Sequence, residues 1–127
     1  MKKTGKARTV LIIEDDTQVR QFITLLLELE GFNTLQAIDG DKGLRLARKE
    51  RVALVLLDLR LPGRDGWSVL EEIKGDTNLR NIPVIVFTAS AGVESRDQAL
   101  SMGAAEYLTK PLSAASLMES ILRILKR

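Results

Sequence analysis

Val52-Ala53-Leu54-Val55-Leu56-Leu57 is an unbroken apolar run of six residues, and it ends on Asp58. A strand with one wet face would alternate apolar and polar residues, so a run without alternation predicts a strand covered on both faces, here over Ala53–Leu57. Thr9–Ile13 and Val84–Phe87 read the same way, and Thr34–Ala37 and Glu106–Thr109 are shorter strand candidates. Helical spacing fills the gaps. Val19, Phe22, Ile23, Leu26 and Leu27 recur at three and four residues and stop at Gly31, the expected C′ position. Gly43–Lys49 is a shorter, weaker helix. Trp67–Lys74 ends near Gly75, and Val93–Met102 ends at Gly103. A last helix is expected from Ser113 as N-cap, burying Leu117, Ile121 and Leu125 and placing Lys126 and Arg127 at its C-terminal dipole. Five strand-helix repeats without a long insertion predict an α/β fold, a doubly wound five-stranded parallel sheet with right-handed crossovers.

The chain has 127 residues, of which 45% are apolar, enough for one domain with a sizeable core. It contains no Cys and no His. Thiolate and imidazole metal sites, Cys nucleophiles, His triads and a phosphohistidine carried by this chain are therefore excluded. Lys+Arg 19 against Asp+Glu 17 gives a net charge of +2, but Lys2, Lys3, Lys6 and Arg8 stand in the first eight residues with no acid among them. Without that tail, 15 basic residues face 17 acidic ones, a balance of −2. Residues 1–8 are thus read as a basic N-terminal tail and 9–127 as the folded domain, whose surface lacks the basic character of a nucleic-acid binder. The longest apolar run is far short of the roughly 20 residues that span a bilayer. A soluble, cytoplasmic protein without direct nucleic-acid or membrane partners is expected.

In open parallel sheets the binding site forms outside the carboxyl ends of the strands, where the strand order switches. Strand one ends in Glu14, Asp15 and Asp16, strand three in Asp58, strand four in Thr88, Ala89 and Ser90, and strand five in Thr109, Lys110 and Pro111. Each has an ordinary reading: Asp58 as a turn residue, Asp16 as a helix cap, Thr88 as a backbone-bonded hydroxyl, Lys110 as a solvated cation, Tyr107 as packing. Read jointly they differ, because Glu14, Asp15 and Asp58 in one cleft repel one another unless a cation sits among them. An all-oxygen set of this kind suits Mg²⁺.

The four segments IIEDD, LLDLRLPGRDGW, PVIVFTAS and GAAEYLTKP, in this order and spacing, resemble the receiver domain of two-component response regulators. The resemblance covers Thr9 to the C-terminus and implies the flavodoxin-like strand order 2-1-3-4-5, a (βα)5 fold. It implies that Asp58 is the phosphoacceptor, that Glu14 and Asp15 are the acidic metal pair, and that Arg60 lends a backbone carbonyl to the metal. Thr88 and Lys110 match the family's hydroxyl and lysine, and Tyr107 its aromatic switch position. The peptide between Lys110 and Pro111 is expected to be cis. Glu14 stands where many members carry Asp, which allows its contact to Mg²⁺ to run through water. Arg60 and Ser90 occupy the positions that tune hydrolysis.

The function so implied is that of a stand-alone phosphoacceptor, not an enzyme in the usual sense, which takes a phosphoryl group onto Asp58 with Mg²⁺. The donor is a phosphohistidine on a sensor histidine kinase or histidine phosphotransfer protein. The signal passes to an output protein, unknown from the sequence, through the surface of helix 4, strand 5 and helix 5, with the domain a monomer or a phosphorylation-dependent dimer. Two rival readings stand beside it. A haloacid-dehalogenase-type phosphoaspartate hydrolase would want a second Asp where this chain has Arg60. A receiver-like scaffold would take up no phosphate.

Overall fold

The computed structural model describes residues 8–89 and 92–125. Strands and helices alternate along the chain: β1 (Thr9–Ile13), α1 (Thr17–Leu29), β2 (Asn33–Ala37), α2 (Gly40–Lys49), β3 (Leu54–Asp58), α3 (Gly66–Gly75), β4 (Val84–Thr88), α4 (Val93–Ser101), β5 (Glu106–Thr109) and α5 (Ala114–Leu125). The strands form one parallel sheet in the order β2-β1-β3-β4-β5. This is the doubly wound arrangement expected above. The chain moves outward from β1 to β2 and then crosses back to β3, so the switch lies between the carboxyl ends of β1 and β3.

The apolar runs divide between two cores because successive strand residues point to opposite faces. On one face Leu11, Ile13, Val55, Leu57, Val84 and Val86 pack with Leu44 and Ala47 of α2 and Val69, Leu70 and Ile73 of α3. On the other, Val10, Ile12, Leu54, Leu56, Ile85 and Phe87 pack with Ile23 and Leu27 of α1 and Leu117, Ile121 and Leu125 of α5. All five residues of β3 are buried, and so are all five of β4.

Side-chain caps start four of the helices. Asp16 accepts from Val19 N at 3.0 Å, Asp39 from Lys42 N at 2.8 Å, Asp65 from Ser68 N at 2.9 Å and Ser113 Oγ from Ser116 N at 2.9 Å. Gly31 and Gly103 adopt φ of 93° and 110° just past the ends of α1 and α4, as the C′ reading requires. Arg8, assigned above to the tail, is tied to the fold: its guanidinium donates to Leu125 O and its carbonyl accepts from Asn33 N, both at 2.9 Å. Lys126 and Arg127, expected at the end of α5, lie outside the described residues, as do residues 1–7.

Several boundaries differ from the expectation. β3 and β4 each run one residue beyond the apolar stretches that end at Leu57 and Phe87, so that Asp58 and Thr88 are the last residues of their strands. α2 begins at Gly40 instead of Gly43. Glycine weakens a helix by intrinsic preference, but a Cβ on Gly43 would stand 2.4 Å from Ile13 Cδ1, so the small residue is what lets α2 lie close on the sheet. α4 stops at Ser101, and of its residues only Ala99 is buried.

Behind Asp58 the chain folds back tightly: Gly66 N donates to Leu59 O at 2.9 Å. A Cβ on Gly66 would fall 2.4 Å from Leu59 Cα and 2.5 Å from Asp58 O, both backbone atoms that cannot yield cheaply. Gly66→Ala is therefore expected to destabilise the domain by about 1–3 kcal/mol, the usual range for overpacking. Gly75→Ala, whose Cβ would meet nothing within 4 Å, is expected to be neutral or to stabilise by up to about 1 kcal/mol. Urea unfolding midpoints of the two variants check this contrast, and equal shifts would refute it.

Candidate functional site

The carboxyl end of β3 carries Asp58 into the cleft, and neighbouring strands supply what surrounds it. Asp58 is only 2% exposed. Its Oδ1 accepts from Arg60 N at 3.0 Å, within the loop that leaves β3, and its Oδ2 accepts from Lys110 Nζ at 2.9 Å. Glu14, just past β1, is fully buried. Its Oε2 accepts from Asp16 N at 3.0 Å, and its Oε1 lies 2.8 Å from Lys110 Nζ. Asp15 sits exposed at the mouth of the cleft.

Lys110 reaches both acids from the end of β5. Its N–H donates to Thr88 O at 2.9 Å, the Lys110-Pro111 peptide is cis, and its ammonium lies 5.3 Å from the centroid of the Phe87 ring. Burial works against the charged ammonium, but its contacts with Glu14 and Asp58 outweigh burial and push the Lys110 pKa up. Burial dominates at Glu14 and, with the charge of Asp58, pushes that carboxyl up to about 7 against the pull of Lys110.

One oxygen from each of Glu14, Asp15 and Asp58 can be chosen so that all three lie within 4.8 Å of one another. Ligand oxygens around an octahedral magnesium ion stand about 3 Å apart when adjacent and about 4 Å apart when opposite. Small side-chain rotations would therefore close this set on one ion. The excess of carboxylates over ammonium fits a cation at this place.

Of the remaining residues singled out in sequence, Thr88 ends β4 fully buried, and Tyr107 of β5 is also buried. Tyr107, at the position that resembles the family's aromatic switch, packs in the core cluster that includes Ala99 of α4. Arg60 is exposed beside Asp58. Ser90 lies outside the described residues. Sequence reasoning passed over Phe87, an ordinary apolar strand residue until Lys110 is seen above it, and Arg20. Arg20 Nη1 donates to Glu14 O at 2.9 Å, and its only signal in sequence was a position one turn after the Asp16 cap.

Residues 10–122 match the family model described as the response regulator receiver domain. Among curated relatives, the DNA-binding dual master transcriptional regulator RpaA of Synechocystis is 35% identical over 118 residues, 93% of this chain and 49% of that protein. The phosphate regulon transcriptional regulatory protein PhoB of Escherichia coli is 34% identical over 121 residues, 95% of this chain and 53% of that protein. The chain thus spans about half the length of these relatives. The receiver domain of a Francisella response regulator superposes with a TM-score of 0.88 at 32% identity, covering 94% of this chain and 98% of that one. The receiver domain of a sensor histidine kinase from Pseudomonas aeruginosa, crystallised with magnesium coordinated in its active-site cleft, gives 0.86 at 31% identity, covering 95% and 99%. With the fold, the strand order and the family match in agreement, the chain belongs to the response regulator receiver domains of two-component signalling.

Proposed function

We propose that Asp58 accepts a phosphoryl group from a phosphohistidine carried by a separate sensor kinase or phosphotransfer protein. The observation that carries this reading is the placement of Asp58: it is buried at the switch point with one oxygen on Lys110 Nζ, and Glu14 and Asp15 lie beside it. A carboxylate oxygen of Asp58 attacks phosphorus, the P–N bond to the donor imidazole breaks, and an acyl phosphate remains on Asp58. Glu14, Asp15, Asp58 and the Arg60 carbonyl would hold a magnesium ion, whose contribution is positive charge against the phosphoryl oxygens. The Lys110 ammonium follows the transferred group from the carboxylate it now contacts, and the Thr88 hydroxyl takes another oxygen. Positioning and charge neutralisation of this kind govern phosphoryl transfer, so the absence of His from this chain is no obstacle.

The output is conformational. Phosphorylation adds charge and acceptor oxygens beside Thr88 and biases the packing of Tyr107 under α4. The face formed by α4, β5 and α5 then presents a changed surface to an output protein or to a second copy. The switch works equally on an attached or a separate output, and the stand-alone expectation is not needed for it. No helix among the described residues is long and apolar enough to cross a membrane. Arg60, long and cationic beside Asp58, shields the acyl phosphate from water.

Acetyl phosphate with Mg²⁺ is expected to add one phosphoryl mass to the wild-type chain and none to Asp58→Asn, as read by intact-protein mass spectrometry. A full adduct on the variant would move the acceptor elsewhere. Decay of the adduct is expected to be faster in Arg60→Ala than in wild type, and equal decay removes the shielding role.

Glu14 gives a pH signature. With its pKa at about 7 in the metal-free fold against 4.5 ordinarily, the folded state holds the proton more tightly than the unfolded one. In metal-free buffer, stability should therefore fall as pH rises through that window, since fewer protons are bound to the unfolded chain there. Because the metal needs the ionised carboxylate, Mg²⁺ affinity is expected to rise from about pH 6 to about pH 8. Calorimetric titrations across that range check it, and Glu14→Gln should flatten the dependence.

A further inference from the structure

We infer that Arg20 is a positioning residue for the metal-binding carboxylates, acting by bracing the main chain of the loop that carries them. This inference rests on the metal reading above. Arg20 lies one turn into α1, where its N–H donates to Asp16 O at 3.0 Å. Its side chain turns back along the helix toward the carboxyl end of β1. Nη1 donates to the carbonyl of Glu14 at 2.9 Å and, more weakly, to that of Asp15 at 3.4 Å. Nε donates to Gln36 Oε1 of β2 at 2.9 Å. One planar guanidinium thus joins α1, the β1–α1 loop and β2, and the two residues whose carbonyls it holds are the two acids.

All three of these contacts are to neutral acceptors. The group therefore places a positive charge next to a site that would bind a dication, which by field alone opposes binding. Its benefit is geometric. Glu14 is fixed at its N–H by Ala37 O at 3.0 Å and at its side chain by Asp16 N, and Arg20 fixes the peptide groups between those points. Asp15, exposed and flanked by these fixed groups, is held where its carboxylate meets those of Glu14 and Asp58. Partners of this outer kind orient metal ligands without touching the ion.

Field and bracing predict opposite signs, which makes the test decisive. Mg²⁺ titrations of the full chain, followed by backbone amide shifts, would compare wild type with Arg20→Met and Arg20→Lys. Bracing predicts affinity weakened on the order of tenfold in Arg20→Met. It predicts a smaller loss in Arg20→Lys, which keeps the charge but not the fork. The amide spectrum away from the β1–α1 loop should be unchanged in both. Affinity equal to or tighter than wild type in folded Arg20→Met overturns the inference. If that variant does not fold, unchanged affinity in Arg20→Lys overturns it. Asp15→Ala serves as the control: if it binds Mg²⁺ like wild type, the metal reading fails and this inference with it. Normal loss in Asp15→Ala with wild-type binding in the Arg20 variants sinks the bracing role alone.

Discussion

Three carboxylates and one ammonium meet at the end of an otherwise apolar sheet, and the rest of the molecule is arranged around that charge imbalance. Lys110 Nζ lies within 3 Å of both Glu14 and Asp58, yet one cation among three acids leaves negative charge uncompensated. The structure shows where the strain falls: burial and the nearby Asp58 push Glu14 up to about 7, so it holds a proton far above the ordinary carboxylate range. A bound dication relieves the same imbalance. Site and instability are therefore one feature, as expected where function asks for like charges at close quarters.

The imbalance is tolerable because the frame beneath it is rigid. β3 and β4 are buried along their whole length, and helices cover both faces. Gly66 lets the loop after Asp58 fold back within van der Waals contact of the strand end. Against this frame α4 stands out. It buries only Ala99, exposes Val93 at 72%, and is the next helix after the strand that ends in Thr88. An element with so little apolar anchorage is the one whose position a new charge can bias at low cost. Chemistry at the stiff centre of the sheet thus has a compliant neighbour to act on.

Much of this was legible in the residues themselves. Short unbroken apolar runs between helical segments fit doubly covered strands, and alternation with helical spacing leaves few topologies, so the parallel sheet and the meeting of Glu14, Asp15, Asp58 and Lys110 followed. The strand order and the cis peptide before Pro111 came from the resemblance instead. Other features were hidden for physical reasons. Gly40 and Gly43 weaken a helix by intrinsic preference, and only the closeness of Val69 and Ile13 explains them. Phe87 looked like any core residue, because a ring beneath an ammonium is a matter of register between β4 and the end of β5. Arg20 was one polar residue among several on α1, and its role appears only when the loop behind it is traced.

The central claim, that uncompensated carboxylate charge at the sheet end sets both the stability and the metal binding of this domain, is tested most directly by comparing urea unfolding of wild type and Asp58→Asn at about pH 8, with and without Mg²⁺. The account predicts that in metal-free buffer the variant is the more stable, on the order of 1–3 kcal/mol. Saturating Mg²⁺ should raise wild-type stability and leave the variant nearly unchanged. A variant less stable than wild type without metal, or one stabilised by Mg²⁺ as strongly as wild type, would contradict it.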